Sequence, residues 1–199
     1  MMKEKDALQE LSNIDNELES VRKLIEDVSS KHISVYLANS LFSEADRAYN
    51  DLICDKLDEI GIHDYYAPQR NAAINDKSKS ADSIAIFDGD TEKLRNADVL
   101  IAVLDSQDLG VASEVGWVAG WNELADRYDG TKLILGLYTD SRDAYKTMSS
   151  NKNDAIVKAG VGESQYSYIN LYTIGACKKW GDVFSSVDDL IAAVKKVFM

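Results

Sequence analysis

Two hydrophobic periods alternate along this chain, and their order predicts its elements. Short, nearly continuous apolar runs stand at residues 32–40 ("HISVYLANS"), 62–68 ("IHDYYAP"), 98–105 ("DVLIAVLD") and 132–140 ("KLILGLYTD"). Runs of this kind suit strands of a parallel sheet buried on both faces. Between them, helical patterns cover about 44–60, closed by Gly61, then 80–97, the segment around Glu114, and 186–198. A last strand is expected within 166–175 ("YSYINLYTIG"). Residues 69–80 and 141–165 are polar and aperiodic and read as loops. Ahead of all this, Leu11, Ile14, Leu18, Val21, Ile25 and Val28 alternate at spacings of three and four, a three-heptad seam on a helix over 3–29.

Strands alternating with helices predict an α/β fold. The sheet is doubly wound (flavodoxin- or Rossmann-like), mainly parallel and five-stranded, with helices on both faces, plus the N-terminal helix. The chain divides into that helix (1–30) and one α/β domain (31–199). In such sheets the ligand sits at the carboxyl ends of the strands, near the switch in strand order. That rule selects residues 38–42, the loop after Pro68, and residues 105–114.

Composition narrows the partners. The 199 residues carry a net charge of −12, so a nucleic-acid polymer or an anionic membrane would be repelled. Neutral nucleosides would not. Two cysteines, Cys54 and Cys177, indicate a reducing compartment, the cytoplasm, rather than a disulfide scaffold. No run approaches a transmembrane length, and the charged N-terminus does not read as a signal peptide. His32, His63 and the cysteines are too scattered for a metal cluster, so no metal is expected. There is no GxGxxG after the first strand and no GxxxxGK[ST], and no nucleotide cofactor is expected.

The candidate chemistry lies in "DLGVASEVGWVAGW", residues 108–121. Val111, Val115 and Val118 mark one face of a helix, and Glu114 falls on that face. In the preceding helix Asp90 lies between Phe87 and Leu94 at the same spacings. A single inward acid is more often a cap or the partner of an arginine. Two on consecutive helices, both at the cleft, favour function. Paired carboxylates suit glycosyl transfer, in which one attacks the anomeric carbon and the other protonates the leaving group. Gly116 and Gly120 cost about 1 kcal/mol each inside a helix, which a close approach to sheet or ligand would explain. Asp108 reads on spacing as an N-cap. Trp117 and Trp121 read as packing residues, and Cys54 as inert.

"VYLANSLF" after the first strand, Asp90-x7-Asp98 leading into a buried strand, and D-x-G-x-x-x-E-x-G over 108–116 together resemble the nucleoside 2-deoxyribosyltransferase family. The resemblance covers about 33–140, with a further piece at "YINLYTIG". It implies that Glu114 is a nucleophile forming a deoxyribosyl-enzyme at C1′, and that Asp90 protonates the departing base. It implies that Asp108, in its turn with Gly110, holds the sugar 5′-hydroxyl and that Tyr36 orients Glu114. Phe42 and Asn39, after the first strand, would line the substrate site. An asparagine from a neighbouring subunit completes the site in that family, and Asn170 is the candidate here. The implied partners are 2′-deoxynucleosides and free purine or pyrimidine bases, in nucleotide salvage. The implied assembly is a homo-oligomer based on dimers, extending to a tetramer or hexamer. The segment Ala38, Asn39, Ser40, Leu41 departs from the glycine- and tryptophan-containing turn common in the family. The chain also ends in "KKVFM" rather than an aromatic residue whose carboxylate reaches the site. Each assignment has a plainer counterpart: Tyr36 and Phe42 as core residues, Asn170 as a turn residue.

Two other functions compete with transfer. A hydrolase of deoxynucleosides or their 5′-monophosphates would use the same acids, with Ser40, Ser43 and Arg47 as phosphate donors. Asp108 beside a phosphate would cost roughly 4 kcal/mol at about 4 Å and an effective dielectric of about 20. A non-enzymatic nucleotide sensor, signalling through the heptads, would gain little from an inward glutamate. The heptad seam itself admits docking on its own domain or pairing with another subunit. If it pairs subunits, deleting residues 1–29 changes the number of subunits per particle measured by light scattering; an unchanged number shows docking instead.

Overall fold

The computed structural model describes residues 33–71, 82–125, 130–141, 161–162 and 168–198. The N-terminal heptads and most of the expected loops over 69–80 and 141–165 lie outside these. The strands are β1 (Val35–Ala38), β2 (Tyr65–Tyr66), β3 (Val99–Val103), β4 (Leu133–Leu137) and β5 (Gly181–Phe184). The helices are α1 (Glu44–Glu59), α2 (Ser83–Asn96), α3 (Leu109–Glu123), α4 (Leu171–Lys179) and α5 (Val187–Phe198). All strands pair in parallel in the order β2-β1-β3-β4-β5. This is the expected doubly wound sheet, with its order reversing between β1 and β3.

Strand parity divides the core into two layers. Val35, Leu37, Val99, Ile101, Val103, Leu135 and Leu137 pack against α1 and α5 through Ile53, Leu57, Leu190 and Val194. Tyr36, Ala38, Leu100, Ala102 and Ile134 face the other way, onto Leu94 of α2, Val111, Val115 and Val118 of α3, and Ile174 and Cys177 of α4. Successive side chains on a strand point to opposite faces, so Tyr36 is delivered to the layer that carries α2 and α3. Asp98, at the entry to β3, accepts a hydrogen bond from the Ser34 N–H at 3.1 Å and so fixes β1 against β3. Among the described residues no helix is long and apolar enough to cross a membrane.

One element differs from expectation. Residues 168–175 hold no strand: Asn170 caps α4, accepting from the Tyr172 N–H at 2.9 Å. Ile174 and Cys177, three apart, are its buried face. The fifth strand is instead "GDVF". Its glycine and aspartate conceal it, because both are poor strand formers. Gly181 is there for space: a Cβ at this position would lie 2.0 Å from the Ile134 carbonyl oxygen.

Gly181→Ala should therefore force β5 away from β4 and destabilise the protein by about 2 kcal/mol or more. Urea unfolding measures this; an unchanged midpoint would contradict the close β4–β5 contact.

Candidate active site

The site is built on two tyrosine–carboxylate pairs. Tyr36 is fully buried in β1, and its hydroxyl donates to Glu114 Oε1 at 2.5 Å. Glu114 lies in the second turn of α3, between the buried Val111 and Val115. Burial pushes its carboxyl up to about 7, and the charges of Asp90 and Asp108 add to this while the Tyr36 bond opposes it. Burial, reinforced by Glu114, holds the Tyr36 phenol far above its ordinary range, so it stays a donor. The charges bearing on Glu114 are thus themselves carboxylates, and its partner is a phenol. The arginine partner of the plainer reading is not what holds it.

The second pair repeats the first one strand away. Tyr66 is the parallel-register neighbour of Tyr36, and the two rings lie 5.3 Å apart at 45°. The Tyr66 hydroxyl donates to Asp90 Oδ1 at 2.9 Å and accepts from Asn71 Nδ2 at 3.0 Å. Burial raises the Asp90 carboxyl above the usual carboxylate range, and the Tyr66 bond partly offsets the rise. Burial likewise pushes the Tyr66 phenol up to about 12. Asp90 does not sit on a continuous apolar stripe, however. Leu94 is buried, but Phe87 is 62% exposed.

Asp108 is the N-cap of α3: its Oδ1 accepts from the N–H groups of Gly110 at 2.7 Å and Val111 at 3.2 Å. This explains Gly110, where a Cβ would lie 2.8 Å from that same oxygen. A cavity of about 270 Å³ opens beside Asp108, between the end of β3 and the N-terminus of α4, with Asn170 and Tyr168 on its far wall. Gln107, also on its wall, holds a left-handed backbone at φ 51°. Strain of this kind gathers at functional loops. The cavity flanks the tyrosine–carboxylate pairs rather than containing them. Asp108 joins the two regions, since it lines one and its charge bears on Glu114.

The remaining predicted residues are less close-knit. Asn39 Nδ2 donates to Asn50 Oδ1 at 2.7 Å, and Asn39 Oδ1 is buried without a partner among the described residues. Phe42 is not a core residue: it is 77% exposed, in the turn before α1. Asn170 is a helix cap in its own chain. Gly116 and Gly120 do not approach the sheet: among the described residues, a Cβ at either would meet nothing within 4 Å. Trp117 and Trp121 stack on each other, with centroids 5.5 Å apart. Cys54 and Cys177 are buried, and burial pushes their thiols up to about 11 and about 12. Among the described residues no group of three or more His, Cys, Asp or Glu converges as a metal would need. Tyr66 and Asn71 were missed by the sequence reading. The signal available was the pair "YY" at the carboxyl end of a strand next to β1.

A half-buried carboxyl with a raised pKa costs stability once it ionises. The cost is absent below its unfolded value near 4.5, grows as pH rises to about 7, and is constant above that. Glu114→Gln keeps an acceptor for Tyr36 and removes the charge. It should raise stability at pH 8 by up to about 3 kcal/mol and leave it unchanged near pH 4. Thermal unfolding at the two pH values checks this, and equal midpoints for Glu114→Gln and wild type at pH 8 would contradict the desolvation of Glu114.

A model of the family described as nucleoside 2-deoxyribosyltransferase matches residues 35–171. A crystal structure described as a conserved protein from Enterococcus faecalis V583 is similar at 37% identity and a TM-score of 0.64. The match covers 83% of this chain and 99% of that one. None of the curated proteins matches the chain. The family match takes in β1, both tyrosine–carboxylate pairs and the Asp108 turn, and the chain belongs to the nucleoside 2-deoxyribosyltransferase family.

Proposed function

We propose that the protein exchanges the nucleobase of a 2′-deoxynucleoside through a covalent deoxyribosyl-glutamate. The observation that carries this reading is Glu114, half-buried beside the charges of Asp90 and Asp108 and held by a single oxygen. Tyr36 occupies Oε1, and among the described residues Oε2 makes no hydrogen bond. Oε2 attacks C1′ as the C1′–N bond breaks, and Asp90 gives its proton to the departing base. The incoming base then returns a proton to Asp90 and displaces Glu114. Positive charge developing on the sugar is stabilised by the negative charges of Glu114 and Asp108, and Asp90 becomes anionic as its proton leaves. A neutral, tethered phenol beside Glu114 is the right neighbour for that role, since an arginine would cancel the field.

Asp108 supports the same reading. Its Oδ1 is used by the helix cap, and among the described residues Oδ2 makes no hydrogen bond and is available to a 5′-hydroxyl. Part of the donor set that a 5′-phosphate would need is drawn into the fold. Arg47 Nη1 donates to the carbonyls of Leu41 and Phe42 at 3.2 and 3.0 Å, Ser40 donates to Asp46, and Ser43 caps α1. A free nucleoside therefore fits better than a monophosphate, and a chemical role for Glu114 fits better than a sensor. Asn170, and the exposed Leu171 and Tyr172 beside it, suit a part in closing the sugar site of a second copy in a homo-oligomer. Phe42 at the rim suits contact with the base. Cytoplasmic salvage is the setting this chemistry implies.

The test mixes a deoxynucleoside with a different free base and follows both by chromatography. A new deoxynucleoside is expected, with its formation reduced at least about 10³-fold in Glu114→Ala. Free deoxyribose without a new nucleoside would show a hydrolase, and full activity in Glu114→Ala would overturn the nucleophile.

A further inference from the structure

The Glu114 pair has a counterpart that neither composition nor motif assigns a task. Tyr66 bridges two elements: its ring lies beside Tyr36 in β1, and its hydroxyl lies on Asp90 in α2. Lys93, one turn beyond Asp90 on the same helix, places its ammonium 5.7 Å from the centre of the Tyr66 ring. Cation–π attraction there ties the ring to the helix that carries Asp90. Glu114 from α3 and Tyr36 from β1 are the other ionisable groups facing this corner.

The geometry fixes a direction. A phenol has one proton and can accept as well as donate. Asn71 Nδ2 has only protons to offer and donates one to the Tyr66 oxygen at 3.0 Å. The Tyr66 proton is thereby left for Asp90 Oδ1, at 2.9 Å. A carbonyl oxygen accepts more strongly than a hydroxyl oxygen, so this bond favours the unprotonated oxygen at Oδ1. A proton on Asp90 is therefore favoured on Oδ2, which among the described residues makes no hydrogen bond.

We propose that Tyr66, oriented by Asn71, is a positioning residue that fixes the rotamer of Asp90 and directs its transferable proton to Oδ2. This rests on the transfer reading above. Tyr66 does to the acid what Tyr36 does to the nucleophile: two tyrosines in register on neighbouring strands each hold one carboxylate oxygen and leave the other for substrate. Without the Tyr66 hydroxyl, Asp90 can rotate and carry its proton on either oxygen, and protonation of the leaving base loses its alignment. The Glu114 attack keeps its own tether.

Tyr66→Phe separates these steps. Two donors are compared: 2′-deoxyadenosine, whose base needs a proton to leave, and 7-methyl-2′-deoxyguanosine, whose cationic base departs as a neutral molecule. Tyr66→Phe should lower kcat for deoxyadenosine about tenfold or more with little change in KM. It should affect the methylated donor less than about threefold, a rate ratio that general loosening of the fold would not shift. In an Asp90→Asn background Tyr66→Phe should cost deoxyadenosine nothing further, because both changes remove the same step. Asn71→Ala should move deoxyadenosine in the same sense by a smaller factor. Equal losses for both donors, no loss for either, or full additivity with Asp90→Asn would overturn the proposal while leaving transfer intact. If the wild type turns over neither donor, the transfer reading fails and this inference falls with it.

Discussion

The bond from the buried Tyr36 hydroxyl to Glu114 Oε1 is the constraint around which the site is organised. It places a carboxylate where solvation is poor, and burial drives the carboxyl up to about 7. A group so placed costs stability when ionised, and the protein tolerates the cost because the phenol satisfies one oxygen. The other two acids follow the same pattern. Asp90 is held at Oδ1 by Tyr66, and Asp108 at Oδ1 by its own helix cap. Each has one oxygen used by the fold and one that makes no hydrogen bond among the described residues. Side chains fixed in this way need little reorganisation when a substrate arrives.

Strand geometry brings the three acids together. The sheet reverses order between β1 and β3, and the cleft at such a switch is where ligands bind. Parity turns Tyr36 toward α2 and α3. Parallel register then sets Tyr66 beside it. The D-x-G turn starts α3 at the carboxyl edge of β3, and Gly110 is glycine because Asp108 folds back over it. The local capping bond and the global sheet order thus serve one result, with Glu114 one turn further along.

Much of this was legible in the sequence because it rests on periodicity. The continuous apolar runs marked β1, β3 and β4, and the Val111, Val115, Val118 face put Glu114 on the inward side of α3. Asp108 was readable as a cap from its place before the helix. The failures have physical causes. β5 is short and contains glycine and aspartate, and it exists through pairing with β4 rather than through propensity. The apolar run around Asn170 suits a strand or a helix by its length, and the Asn170 cap decides for the helix. Gly116 and Gly120 have no close neighbour among the described residues, and nothing in the structure explains their being glycine. Tyr66 escaped notice because its importance is a matter of register, and single-sequence patterns do not reveal which residues lie opposite one another.

The central claim is that Glu114 Oε2 forms a bond to the sugar. The most direct measurement is intact and peptide mass spectrometry after incubation with a 2-fluorinated 2′-deoxynucleoside analogue, which slows breakdown of a glycosyl-enzyme. The account predicts a mass increase of one fluorinated deoxyribosyl group, confined to the peptide containing Glu114 and absent in Glu114→Gln. Base release with no adduct, or an adduct on any other residue, would contradict it.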